Sequence, residues 1–200
     1  MRIILGRFNL EDEKVRADWG RRESSADLGF KGRGKHDRYQ MELPPVPGWP
    51  TEKLFNWAAD RVACYQVFPP SRMKARVDAP GGRVARGATI LQGVFVGPFR
   101  LRMADRVLEV FEGGSRKERW MGFTYGTLEG HAEKGIETFR VVWNKAAGKV
   151  HFSMEAWSLP GHWLVRLFYP WARWVQKRAG REAMDYMKER LEGFGKGEKP

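Results

Sequence analysis

Trp120-Met121-Gly122-Phe123-Thr124-Tyr125-Gly126-Thr127-Leu128 is followed, after a glycine-bearing stretch, by Ile136-Glu137-Thr138-Phe139-Arg140-Val141-Val142-Trp143. Large side chains recur at every second position, at Met121, Phe123 and Tyr125 and again at Phe139, Val141 and Trp143. A period of two marks strands and places each alternating set on one face. Residues 129–135, with Gly130 and Gly135, read as the connecting loop, centred on Ala132. Antiparallel register about that centre pairs Thr127 with Glu137, Tyr125 with Phe139, Phe123 with Val141 and Met121 with Trp143. A third strand, Val150–Ser158, follows the Ala147-Gly148 turn and pairs Phe139 with Met154 and Val141 with Phe152.

The same period extends upstream. Arg72, Lys74 and Arg76 alternate with Met73, Ala75 and Val77, and Thr89–Val96 is β-branched and apolar. Gly97-Pro98 makes a turn, after which Arg100 and Arg102 alternate with Leu101 and Met103. Before these strands, Pro44, Pro45, Pro47, Gly48 and Pro50 break the chain ahead of a helix of about four turns. Thr51 is its expected cap, and Leu54, Phe55, Ala58, Val62 and Tyr65 form its apolar face. After the strands, Ser158 and Pro160 suggest the start of a long helix reaching about Leu191. Its apolar stripe is Leu164, Leu167, Phe168, Trp171, Val175, Ala179, Ala183, Met187 and Leu191, and Pro170 should kink it. One helix, a run of antiparallel strands and a long amphipathic helix imply an α+β fold. Its curved antiparallel sheet of about six or seven strands wraps around the C-terminal helix. The expected organisation is a polar, Gly-rich extension over residues 1–38, a domain over 39–192 and a disordered tail over 193–200.

Composition narrows the function classes. The 200 residues are 42% hydrophobic and 30% charged, a folded composition. No apolar run of ~18 residues offers a transmembrane helix, and the apolar start is too short for a signal-peptide core. The single cysteine, Cys64, allows no internal disulfide. These features point to a cytoplasmic protein. The four histidines are scattered without metal-ligand spacing, and there is no Walker loop or dinucleotide fingerprint. No catalytic or metal-ligating set emerges, and no cofactor is indicated.

Gly122-Phe123-Thr124-Tyr125-Gly126-Thr127-Leu128, Gly130-His131, Gly135, Glu137 and Phe139 together resemble the DUF1990 family. The similarity continues through Ala156-Trp157-Ser158-Leu159-Pro160, Trp163 and Pro170, and covers roughly residues 40–190. Ile136 and Leu159 depart from the family pattern, which usually has Glu and Arg there. The resemblance implies a START-like, Bet v 1-like helix-grip fold, in which a cavity between sheet and helix commonly holds an apolar ligand. It implies no reaction.

The face shared by Phe123, Tyr125, Thr127, Glu137 and Phe139 should point inward, leaving Tyr125, Thr127 and Glu137 as polar groups at one end of an apolar interior. A buried carboxylate there must be hydrogen-bonded, neutralised or wet. In one reading these groups satisfy one another and the loop backbone around Gly130-His131. In the other they anchor a small apolar or amphipathic ligand, with Tyr125, Thr127, His131, Glu137, Phe139 and Trp163 as the binding set. An alternative makes Glu137 a general acid or base, partnered by Tyr125 or His131. Asp105 shares alternation with inward residues. A bulge or an ion pair is expected to turn it out, and Glu109 has the same ambiguity.

The net charge is +12, and half of it lies in residues 72–119, with 11 basic and 5 acidic groups. Arg72, Lys74 and Arg76 with Arg100, Arg102 and Arg106 should form a basic outer face on the sheet. Such a face attracts anionic membrane or nucleic acid, or simply keeps the protein soluble. No base-stacking aromatics lie between these residues, which argues against nucleic acid. Trp163, Trp171 and Trp174 near Arg166, Arg173 and Lys177 allow a membrane-surface role beside that of a packed helix. No specific protein partner can be inferred.

Overall fold

Strand β2 (Lys35–Glu42) lies at one edge of an antiparallel sheet and β3 (Met73–Asp78) at the other. Between them run β8 (Lys149–Pro160), β7 (Glu133–Asn144), β6 (Glu118–Thr127), β5 (Phe99–Gly114) and β4 (Thr89–Val96). A short β1 (Arg2–Ile4) pairs with β5 outside this order. Helices α1 (Glu13–Gly20), α2 (Thr51–Ala63), α3 (Trp163–Leu167) and α4 (Tyr169–Gly195) complete the chain. The computed structural model describes residues 2–4, 9–97 and 99–196. Most of the apolar N-terminal run, Pro98 of the expected turn, the Leu164 side chain and the last four residues lie outside the described residues. The architecture is the expected α+β helix grip, a curved seven-stranded sheet holding the long C-terminal helix.

The sheet's concave face and two helices form the main core. Phe123, Phe139, Phe152, Val141 and Val150 are buried from the sheet, and Leu54, Phe55, Ala58 and Val62 from α2. Ala183, Met187 and Leu191 of α4 join them, one per helical turn. Phe123 and Phe139 stack at 5.2 Å between centroids. Two ion pairs fasten α4 to the two edges of the sheet. Arg173 donates to both carboxylate oxygens of Asp37 on β2, at 2.5 and 2.8 Å. Arg72, just before β3, grips Glu182 in the same two-bond fashion. Gly180 lets the helix settle on β2: a Cβ there would come within 2.5 Å of the Tyr39 ring.

Several expectations are corrected by the chain's own geometry. The β6–β7 hairpin pairs Tyr125 with Glu137, Phe123 with Phe139 and Met121 with Val141, two residues from the expected register. Because two residues are one full side-chain period, the inward face is unchanged. The β7–β8 pairs Phe139–Met154 and Val141–Phe152 are as expected. A bulge does interrupt β5, but at Leu108. It turns Glu109 outward to accept from the Thr124 hydroxyl at 2.9 Å, and leaves Asp105 facing inward, fully buried. Strand β8 runs to Pro160, so Ser158 sits in the sheet opposite Gly135 instead of capping a helix. Pro170 lies in the first turn of α4, where its missing N–H costs nothing. The break therefore falls at Phe168, between two helices. Pro50, not Thr51, occupies the α2 cap position. Helix α4 continues through the expected tail to Gly195, with Phe194 packed on Trp49 and Trp57.

The outer face of the sheet is also not an open basic surface. Residues 10–34 cross it as a belt, and β2 crosses the expected boundary at residue 38. Trp19 of α1 is buried on Leu91, Ala104 and Leu128, and Phe30 and Ala26 on Ile136. Gly126 allows this crossing, since a Cβ would meet the Ala26 carbonyl oxygen at 2.3 Å. Arg106 donates to the Gly20 and Gly87 carbonyls, Arg76 pairs with Glu11, and Arg72 turns to Glu182. The six expected cations thus do not form one patch.

Candidate functional site

The concave face is longer than the core that fills it. Beyond Ala183, towards the N-terminus of α4, the helix stands off the sheet and encloses a cavity of about 780 Å³. Its walls are mainly apolar, from Phe68, Met73, Val94, Met103 and Met154 below and Val175 and Ala179 above. The polar groups gather at one end, contributed by the neighbouring strands β4 to β7 and by Tyr65.

Tyr125 donates its hydroxyl proton to Oε2 of Glu137, its direct cross-strand neighbour. Tyr65 stands edge-on to Tyr125 at 6.0 Å between ring centroids. Gln92 on β4 donates to the Tyr65 hydroxyl at 3.0 Å and to Oδ2 of Asp105. The backbone N–H of Glu133 donates to Nδ1 of His131 at 3.0 Å. The same Nδ1 lies 3.0 Å from the Glu133 carbonyl oxygen, and Nε2 lies 3.7 Å from Oδ1 of Asp105. Along the roof, Gln176 donates to Oε2 of Glu133 at 2.9 Å and to the Ser158 hydroxyl at 3.0 Å, while Arg173 donates to Gln176.

Burial dominates the electrostatics. It pushes the Glu137 carboxyl up to about 7, against the Tyr125 hydrogen bond that favours the ionised form. Glu133 is raised to about 7 by burial and by the nearby Glu137 charge, with Arg173 opposing. Asp105 is raised well above the carboxylate range by burial and then by Glu137. His131 is lowered to about 4 by burial, so it is neutral at pH 7. The same burial, with Glu137 and Asp105 adjacent, keeps Tyr65 and Tyr125 protonated. Near neutral pH the polar end therefore offers hydroxyls, an amide, a neutral imidazole and two carboxyls that exchange their protons there.

Of the six residues expected at a binding site, Tyr125, Thr127, His131 and Glu137 line the cavity. Thr127 spends its hydroxyl on the backbone N–H of Gly135 at 3.1 Å and on Ser25 of the belt at 2.7 Å. Phe139 is not a lining residue; it is fully buried in the aromatic core. Trp163 is not one either, being 65% exposed on the outer side of α3. Tyr65 and Gln92 belong to the site and were missed. Tyr65 reads as the last turn of α2, but the helix ends at Ala63 and Tyr65 adopts φ 53°, the one positive φ among the described non-glycine residues. Strained backbone of this kind recurs at binding sites. Gln92 left a signal, a lone amide at an inward position of an otherwise apolar strand.

Residues 26–186 match the family described as "Domain of unknown function (DUF1990)". A UPF0548 protein of Dictyostelium discoideum is 38% identical over 73 residues, a match spanning 34% of this chain and 32% of that one. A hypothetical protein of Helicobacter pylori, known from its crystal structure, superposes with TM-score 0.56 at 6% identity, covering 80% of this chain and 90% of that one. That likeness concerns the fold. A norcoclaurine synthase of Thalictrum flavum, solved with dopamine and hydroxybenzaldehyde, gives TM-score 0.49 at 12% identity over 96% of this chain and 97% of that one. Since the family match takes in well over half of the sequence, the chain belongs to the DUF1990 family.

Proposed function

We propose that the protein is a binding module that holds a small apolar or amphipathic molecule between the sheet and the N-terminal half of α4. The observation that carries this reading is the 780 Å³ cavity with apolar walls and polar groups gathered at one end. Its size falls in the range of small-molecule pockets, and a few convergent polar groups are what fixes a ligand's orientation. An apolar tail gains by leaving water for the walls, on the order of 25 cal/mol per Å² buried. A polar head set against Glu137, Tyr125 and Gln92 meets both donors and acceptors. Native mass spectrometry of gently extracted protein, followed by displacement of a fluorescent fatty acid, tests the reading. Saturable binding of one molecule per chain is expected. A chain that carries no small molecule and binds none of a series of alkanols and fatty acids would overturn it.

A second reading starts from the place of Glu137, which lines the cavity and accepts the Tyr125 hydroxyl. Burial there pushes its carboxyl up to about 7, a value suited to a general acid or base. Chemical change of the extracted ligand on incubation with the wild-type chain, and none with Glu137→Gln, would be its sign.

A further inference from the structure

The roof of the cavity has an outer surface of unusual composition. Eight large apolar side chains are exposed among the described residues, and six of them fall between Leu159 and Trp174. Trp163, Leu167, Phe168, Trp171 and Trp174 are each more than half exposed. They sit on the elbow where α3 gives way to α4, and Phe168 and Trp171 also line the cavity, so the patch reaches the cavity mouth. An exposed cluster of this kind marks a surface that meets something else.

Charge indicates what that is. No Asp or Glu occurs between Glu155 and Glu182, whereas Arg166, Arg173, Lys177, Arg178 and Arg181 do. Trp171, Trp174, Arg178 and Arg181 follow one another at helical spacing, aromatic first and basic after, with the Arg178 guanidinium 5.3 Å from the Trp174 ring centre. Two copies of a chain with net charge +12 would set these cations against each other. An interface of lipid and water suits both halves of the pattern: tryptophans settle at headgroup depth, leucine and phenylalanine enter the acyl boundary, and long basic side chains reach up to phosphate. No helix of the described residues is long and apolar enough to cross the membrane, so contact is with one surface.

We propose that the α3–α4 elbow docks on an anionic lipid bilayer, with Trp163, Leu167, Phe168, Trp171 and Trp174 entering the interface and Arg166, Lys177 and Arg181 facing the phosphates. Docked this way, the mouth of the cavity opens onto lipid. The proposal does not rest on what the cavity holds, so its failure would leave the ligand reading standing.

The test is flotation of the full chain with vesicles of phosphatidylcholine alone and of phosphatidylcholine with about one third phosphatidylglycerol, at low and high salt. The expected result is binding to the anionic vesicles that weakens as salt rises. The Trp163→Ser/Leu167→Ser/Trp174→Ser variant changes no cavity-lining residue. It should lose vesicle affinity at least about tenfold while keeping the wild-type melting temperature and ligand stoichiometry. Arg166→Gln and Lys177→Gln should each cost about fivefold, the value of one cation near an anionic surface. Equal binding to neutral and anionic vesicles, or no binding at low salt, would overturn the proposal. So would two other outcomes: a concentration-dependent dimer that the triple variant abolishes without any vesicle binding, or duplex DNA binding stronger than vesicle binding and lost in the same variants.

Discussion

Ala183, Met187 and Leu191, in the C-terminal half of α4, are sealed against α2 and the phenylalanines of the sheet. Trp171, Val175 and Ala179, on the same stripe about one to three turns before Ala183, face a cavity, and Trp171 is half in solvent. One helix thus carries one apolar pattern into two environments. Helical spacing decides which side chains point toward the sheet; it does not decide whether the sheet is there to meet them. The packed half has α2 as a third wall, and the roofing half is held by ion pairs at the two sheet edges.

This comparison can be broken by substitution. Met187→Ala should destabilise the fold by about 2–5 kcal/mol, since it empties a packed core, whereas Val175→Ala should cost less than about 1 kcal/mol because its side chain already borders open space. Reversed substitutions sharpen the contrast. Ala183→Leu should cost about 1–3 kcal/mol by overpacking, and Ala179→Leu should be tolerated within about 0.5 kcal/mol. Chemical denaturation of the four variants measures all of this. Equal losses in the two halves would mean that the cavity collapses around its lining.

The edge clamps come next in size. Arg173→Met leaves the Asp37 carboxylate largely buried without its partner, and should cost about 2–4 kcal/mol. It should also loosen the roof, seen as faster amide exchange in residues 169–179 than in 183–191. Uniform exchange along α4 would show that the helix moves as one piece.

The pH response is smaller and belongs to the polar end. Glu137 keeps its proton up to about pH 7 in the folded chain, against an ordinary value of 4.5. Its contribution is therefore fully present below pH 4.5 and is lost as pH rises to about 7, where the unfolded chain ionises and the folded one resists. Glu137→Gln retains an acceptor for Tyr125 and never ionises. Relative to wild type it should gain on the order of 1–3 kcal/mol between pH 4 and pH 8. His131 acts in the opposite sense, losing stability as pH falls from 6.5 to about 4, and does so equally in both chains. A wild-type-to-variant difference that stays flat with pH would place Glu137 in contact with bulk water.

Much of this arrangement is legible in the residues, for reasons that also mark the limit. The inward face of β6 and β7 follows from a period of two, so it survives a hairpin register that is wrong by two residues. Asp105 is misread because alternation cannot say where a bulge falls; it lies at Leu108, three residues too late to turn Asp105 outward. Trp19, Leu91 and Ala104 reveal a layer outside the sheet only once paired strands bring them together, since each alone looks like an isolated apolar residue. Tyr65 is hidden by a helix that ends two residues earlier than its stripe. Trp171 shares a helical stripe with true core residues, and only the open space beneath α4 separates it from them.

The central claim is that the N-terminal half of α4 roofs a ligand cavity, and a calorimetric titration with decanol of the wild-type chain and Ala179→Phe tests it most directly. The phenyl group would occupy the cavity without touching the packed core. Binding of one decanol per wild-type chain is predicted, with a negative heat-capacity change, weakened at least about tenfold in Ala179→Phe while that variant melts at or above the wild-type temperature. Undiminished binding in a folded Ala179→Phe chain, or no binding by wild type, would contradict the account.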